Sequence, residues 1–593
     1  MARSIVHHVR IPAPQVHLVH VETRIATTEA MPEVLVVFMP VWTPGSYLIR
    51  EYARHVEGFF AGPPARARKI RKNAWEIRTH ATDPLVIQYT VYAAELTVRT
   101  SHVDESHGFL VGAATFFGVE GWERVATTVE IHAPDGWRTF TSLDVLQDPA
   151  GSATQRFVAK DFDTLVDCPI EIGRPIEEAF DVLGTPHRYA VCPASALRRS
   201  DLTRLIGDTK TIVETEAALF GGTLPYEHYD LLLHLSTRGR GGLEHRSSAA
   251  LIAAEASFAT REAYLDLLSL VAHEIFHAWN VKRIRPAGLT PYGYNAECYT
   301  RLLWWFEGGT SYYDWRVLAL ARICTLEEYL DHLASEIAYL DQTAGRLVHA
   351  LEDASWDAWI KLYRPDENSQ NSSVSYYRKG EVVCALLDLE IRARSGGRAS
   401  LDGILVHLWR EYGTVERSVP EDEIQAIFER ATGVDLGDLF ETWIRSPTEI
   451  DYAKTLAYVG LAIERTARPD AAPCSLGVRV RADGPRAMVS SVSRGTAAWR
   501  AGVDGGDEIL AIGGVRIEGG LIEPALRSRA PGDSVDIVLA RDGRLVTKTA
   551  ILDPGKADRV KIVPARDASD AARQAFAAWL DPLKSTARPR TAR

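Results

Sequence analysis

The segment His273-Glu274-Ile275-Phe276-His277 sets two imidazoles four residues apart, with a carboxylate next to the first. On a helix that spacing puts both rings on one face, one turn apart, able to grip one Zn²⁺ while Glu274 points towards the attacking water. Chance alone supplies roughly 0.03 such matches in a chain of this length and composition. A catalytic zinc needs a third protein ligand and an open position. Glu307, in Trp304-Trp305-Phe306-Glu307-Gly308-Gly309-Thr310, is flanked by bulky apolar residues. A carboxylate buried there is costly unless it is paired or metal-bound. Glu297, near the turn at Pro291 and Gly293, competes for the same role.

These residues need elements to hold them. The run Tyr264-Leu-Asp-Leu-Leu-Ser-Leu-Val-Ala reads as helix into His273, and the pattern predicts a helix over 261–280. Further helices are expected from Ser200, as N-cap, towards Gly221, and at 299–322, 326–344, 378–395, 400–413, 420–433 and 436–444. Tyr229-Asp-Leu-Leu-Leu-His-Leu reads as a strand within this helical region. Before about Pro175 the chain is instead rich in alternating β segments, such as Val34-Leu-Val-Val-Phe and Leu85-Val-Ile-Gln-Tyr-Thr-Val-Tyr, and reads as a β-sandwich-like domain. Around 450–475 Pro and Ala suggest a linker, and a β-rich module of about 80 residues follows.

The 593 residues suffice for about four domains. A net charge of −11 disfavours a broad nucleic-acid surface. With 46% hydrophobic and 24% charged residues, the chain is neither fibrous nor extensively disordered. No uncharged apolar run of membrane-spanning length occurs, and Met1-Ala-Arg-Ser-Ile-Val-His-His lacks the apolar core of a secretory signal. The expectation is a cytoplasmic protein with no membrane or nucleic-acid partner. Cys168, Cys192, Cys298, Cys324, Cys384 and Cys474 show neither CxxC nor CxC spacing, so any metal is expected on His and carboxylate.

The His273-Glu274-x-x-His277 and Glu307-Gly308 segments resemble the gluzincin zinc peptidases, and in particular the glycyl aminopeptidase family, a PDZ-containing relative of aminopeptidase N. Trp42-Thr-Pro-Gly-Ser-Tyr-Leu-Ile-Arg50, Gly241-Gly-Leu-Glu-His245 and Trp279-Asn-Val-Lys-Arg-Ile-Arg-Pro286 agree with it, so the resemblance covers nearly the whole chain. It implies a multidomain α+β protein. The expected parts are a β-rich N-terminal domain (1–175), a thermolysin-like catalytic domain (176–323), a helical domain (324–450), a PDZ domain (474–555), and a C-terminal helix with a mobile tail (556–593).

The same resemblance implies one zinc per chain, held by His273, His277 and Glu307, and peptide substrates with a free N-terminus. Glu274 is then the general base and proton carrier. Gly241, Gly242 and Glu244 form an edge strand along the substrate, with Glu244 on the α-amine; read alone, Arg238-Gly-Arg-Gly-Gly is a turn. His245 stands where aminopeptidase N has Asn. Tyr377, in Tyr377-Arg378-Lys379-Gly380, donates to the oxyanion, with the adjacent Tyr376 as the alternative. A preference for small N-terminal residues, Gly and Ala, follows from the resemblance alone. In the C-terminal module Leu476, Gly477 and Val478 resemble the loop by which a PDZ domain takes a peptide C-terminus; a packing or lid role is the alternative. Two other functions stand beside the aminopeptidase: a PDZ-guided zinc endopeptidase and a catalytically silent PDZ scaffold.

Overall fold

The computed structural model of the chain describes residues 3–80, 83–146, 154–237 and 239–580. Arg238 and the expected tail beyond 580 lie outside the described residues. The fold is multidomain α+β, and the chain divides into two compact units. One comprises Met1–Thr300, Tyr313–Ile323 and Leu405–Glu421, the other Arg301–Tyr312, Cys324–Ile404 and Asp422–Arg593.

In the first unit, period-2 sequences make three sheets. In the seven-stranded sheet, Leu18–Thr27 and Leu85–Tyr92 bury every second residue, as one wet face requires. Its strands Arg3–Arg10 and Thr127–His132 run parallel, the other neighbours antiparallel. A five-stranded sheet carries Thr100–Val103, His107–Leu110 and Ile170–Gly173, and a four-stranded sheet carries Val34–Phe38. Their core, with Val9, Ile25, Val37, Ile87 and Phe109, continues into Ala190, Leu232, Leu243, Ala250 and Ile252 of a further sheet, so both sides share one hydrophobic cluster.

That further sheet runs Ile176–Val182, Thr185–Cys192, Tyr229–Leu235, Ser248–Ala253, Gly241–Glu244. Tyr229–Leu235 is buried at every position, as a central parallel strand should be. Two helices belong with it. Arg199–Leu219 starts one residue before Ser200, with Arg198 at the cap, so Ser200 lies inside the first turn. Arg261–Phe276 is capped by Thr260, whose hydroxyl accepts from the Ala263 amide, and it ends at His277.

The expected 299–322 helix is interrupted. Leu303–Phe306 is one short turn, Glu307 stands at the junction in the right-handed helical region with φ −111° and ψ −53°, and Gly308–Leu320 follows. Leu326–Gln342 begins with a complete capping box between Thr325 and Glu328. Tyr376–Ser395 ends at the left-handed Gly396.

The expected linker over 450–475 is largely structured. Tyr452–Ala457 is helical, and Leu461–Thr466 pairs antiparallel with Arg559–Pro564, from Leu461 opposite Pro564 to Thr466 opposite Arg559. A strand whose partner lies on the far side of the module leaves no local signal. The C-terminal module has the strand order Val478–Asp483, Arg486–Val492, Glu508–Ile512, Ser534–Arg541, Arg544–Ile551 around a core of Leu476, Val489, Ile509, Ile537 and Leu539. The final helix, Asp570–Leu580, buries Trp579, whose indole donates to the Tyr312 hydroxyl at 2.9 Å.

Candidate active site

The helix Arg261–Phe276 delivers His273 and His277 side by side, with ring centroids 4.6 Å apart and planes nearly perpendicular. Each ring is oriented through Nδ1: His273 to the Asp314 carboxylate at 3.0 Å, His277 to the Asn280 backbone carbonyl at 2.6 Å. With Nδ1 donating, Nε2 carries the lone pair that a metal takes, and outer partners of this kind fix the tautomer. The donor set therefore fits zinc on the side of the two imidazoles. Neither Asp314 nor the Asn280 carbonyl was foreseen from the sequence. Asp314 sits seven residues after Glu307, two helical turns on, and that spacing was the available signal.

Glu274 is buried, and the edge strand passes close over it: a Cβ on Gly242 would sit 2.0 Å from its carboxylate oxygen. Gly241–Glu244 is thus an edge strand rather than a turn, paired antiparallel with Ser248–Ala253. Arg99 donates to the Gly242 carbonyl at 3.2 Å. Glu244 is only 4% exposed. One ligand oxygen each from Glu244 and Glu274 and a ring nitrogen of His277 all lie within 4.8 Å of one another. Two buried carboxylates that close repel unless a cation joins them.

The segment Trp42–Arg50 enters here through Gly45. Its φ of +88° is left-handed, and a Cβ would meet the Glu244 carboxylate at 2.4 Å. Trp42 and Tyr47 are buried; Trp42 donates to the Gly293 carbonyl at 2.8 Å. His245 faces Asp167 at 3.7 Å, and Lys282, 1% exposed, pairs with the same carboxylate at 2.6 Å. Burial pushes Asp167 up, yet Lys282 and His245 hold it well below the usual carboxylate range. Behind the metal-motif helix, Glu216 is wholly buried; burial and then the Asp314 charge push its carboxyl well up, so it stays neutral.

In the second unit Glu307 is buried at the helix break, below Trp304, Trp305 and Phe306. The next residue is Gly308 because a Cβ there would strike the Tyr376 carbonyl at 2.5 Å and the Gly380 Cα at 2.6 Å. That backbone approach sets Glu307 near the start of Tyr376–Ser395. Tyr377 is half-buried, stacks on Tyr376 with centroids 4.6 Å apart, and shares a 3.2 Å hydrogen bond with the Tyr363 hydroxyl. Burial first, then the Glu307 charge, push the Tyr377 phenol well above its ordinary value, so it remains a donor. Glu297 is half-buried in the loop before Thr300.

Leu476, Gly477 and Val478 line a pocket of about 200 Å³ together with Arg468, Lys556 and Gln370. Gly477, at φ +76°, packs so closely on Thr496 that a Cβ would lie 2.3 Å from its side chain. Val478 opens the edge strand of its sheet.

Three stretches match known families: the Peptidase M61 N-terminal domain over residues 7–174, the M61 glycyl aminopeptidase over 266–383, and the PDZ domain over 474–552. Among solved structures, the chain is similar to an aminopeptidase N family protein from Idiomarina loihiensis, at 27% identity and a TM-score of 0.90, over 98% of this chain and 100% of that one. Native yeast LTA4 hydrolase follows at 16% identity and a TM-score of 0.47, over 77% of this chain and 70% of that one. An M1 zinc metallopeptidase from Deinococcus radiodurans stands at 12% and 0.45, over 76% and 95%. No curated protein matches the chain. Among the described residues no helix is long and apolar enough to cross a membrane.

Proposed function

We propose that the chain, which matches the M61 glycyl aminopeptidase model over residues 266–383 and is similar along its length to an aminopeptidase N family protein, is a zinc aminopeptidase that removes small N-terminal residues, glycine and alanine, from peptides. The observation that carries this reading is Glu244. A buried carboxylate on an edge strand, close to Glu274 and His277, suits a substrate α-ammonium next to the scissile bond. With the amine held there, the first peptide bond is the one presented.

In this reading His273, His277 and Glu307 hold one zinc ion. Zinc, when bound, supplies Lewis-acid polarisation of the scissile carbonyl and a more acidic water. Glu274 takes the proton from the attacking water and passes it to the leaving amine. Tyr377 donates its phenolic hydrogen to the developing oxyanion, with Tyr376 as the alternative. Gly241 and Gly242 let substrate backbone lie along the edge strand. Gly45, with no room for a Cβ of its own, packs directly against the Glu244 carboxylate. Leu476, Gly477 and Val478 take a peptide C-terminus.

The test is hydrolysis of glycyl- and alanyl-p-nitroanilide by the full chain, with and without chelator and restored zinc, beside N-acetylated controls. Activity on free amines alone is expected. Equal cleavage of the acetylated controls refutes the amine anchor and leaves a PDZ-guided endopeptidase. Glu274→Gln should keep its zinc and lose turnover by about 10²–10⁴-fold; a wild-type rate removes Glu274 from the chemistry.

A further inference from the structure

A second group of metal-capable side chains lies in the first unit, carried by strands rather than by the metal-motif helix. Glu171, on Ile170–Gly173, is 1% exposed, and three donors converge on its carboxylate. His107 Nδ1 lies 2.8 Å from Oε1, Cys192 Sγ 3.0 Å from the same oxygen, and His234 Nε2 2.9 Å from Oε2. His107, Cys192 and His234 are likewise almost fully buried. The positions are set by sheet register: Cys192 and His234 are partners on adjacent parallel strands, and Glu171 stands opposite Phe109 on the strand that begins with His107. The rings of His107 and His234 stack with centroids 5.3 Å apart. His102 lies beside them, its ring 5.3 Å from that of His107 and its Nε2 3.2 Å from Asp104.

We propose that His107, Glu171, Cys192 and His234 form a second metal site that takes one Zn²⁺ as a structural ion. Ligand atoms of His107, Glu171 and Cys192 all fall within 4.8 Å of one another. Two nitrogens, one sulfur and one oxygen make a borderline donor set suited to zinc. Binding releases the Cys192 thiol proton to solvent as the sulfur bonds the ion. The dication is then balanced by one thiolate and one carboxylate, so the core carries no net charge. Zinc–nitrogen bonds of about 2.1 Å and a zinc–sulfur bond of about 2.3 Å put tetrahedral donors roughly 3.4–3.6 Å apart, so the short contacts open by about half an ångström on binding. The scattered cysteine spacing gave no sign of this, because the four ligands come from four strands.

Metal analysis of the purified full chain should find two zinc ions per chain. Replacement by Co²⁺ should give a sulfur-to-cobalt charge-transfer band, which His, Glu ligation at the catalytic motif cannot produce. The band should vanish in Cys192→Ala and persist in His273→Ala, which separates this site from the catalytic one. Cys192→Ala should also drop the count to one while keeping peptidase activity. If Cys192→Ala does not fold, the wild-type band and count still decide. One ion per chain with no sulfur band in the folded wild type overturns the site and leaves a hydrogen-bonded network. Two ions without that band overturn it equally.

Discussion

Asp314 shows how much of a metal motif lies outside the motif. Its carboxylate takes the Nδ1 hydrogen of His273 at 3.0 Å, which holds the ring with Nε2 forward. Asp314→Ala should leave the fold intact and weaken zinc affinity about 10–100-fold, read by competition with a chromogenic chelator. Unchanged affinity would make Asp314 a mere neighbour. Gly242 acts on the same helix from the strand side. In Gly242→Ala the new Cβ meets the end of a flexible side chain, Glu274, so the carboxylate moves rather than the backbone. Thermal stability should hardly change while kcat/KM falls on the order of 100-fold, the usual cost of displacing a catalytic group by about an ångström. Loss of stability with full activity per folded molecule would refute this. The histidine pair was legible in the sequence because i, i+4 spacing is a local property. Asp314, Gly45 and Gly242 act across tertiary contacts and were not legible as partners of these groups.

At the scale of elements, the helix Tyr376–Ser395 carries an internal cost. Lys379, 2% exposed, has no hydrogen-bond partner on Nζ among the described residues. Burial and then the charge of Arg346 push it down to about 8 from 10.5. The folded state therefore releases its proton at lower pH than the unfolded chain. Between about pH 8 and 10.5 the unfolded state holds more protons, and stability rises with pH. Lys379→Met should stabilise the protein by up to about 3 kcal/mol below pH 8, a gain that fades as pH approaches 10.5. Urea titrations at pH 7 and pH 10 check it; a gain that is equal at both, or absent, refutes the buried ammonium. The helix itself was read almost to its ends, since apolar periodicity and the Gly396-Gly397 stop are local. The interruption at Glu307 was not; it lies where Gly308 passes close to Gly380, a distant segment that no local pattern announces.

At the scale of the molecule, the PDZ domain is a docked insertion rather than a bead on a linker. The chain enters it after Leu461–Thr466 and leaves it into Arg559–Pro564, and those two strands pair. Asn371, buried, also clamps it: its amide donates to the Val492 carbonyl and its carbonyl accepts from the Arg494 amide, both at 2.8 Å. Gln370 accepts from Ser491 at 3.0 Å. Asn371→Ala strands both backbone groups at a cost of about 1–3 kcal/mol. Calorimetry should then resolve a separate, lower transition for the PDZ domain; one undivided transition at the wild-type temperature would show that Asn371 bears none of the docking.

What the sequence determined by itself was whatever depends on neighbours along the chain. The two-histidine helix, the alternating strands of the N-terminal domain, the PDZ module, and the buried setting of Glu307 among Trp304, Trp305 and Phe306 all follow from spacing and local composition. The tertiary structure alone decided what depends on distant segments meeting. Gly45 seats against Glu244, Asp314 turns His273, and Leu461–Thr466 finds its partner nearly a hundred residues on. Four strands gather His107, Glu171, Cys192 and His234. Helix and strand periods are set by bonds within a few residues, whereas these sites are made by sheet register and packing, which no local pattern encodes.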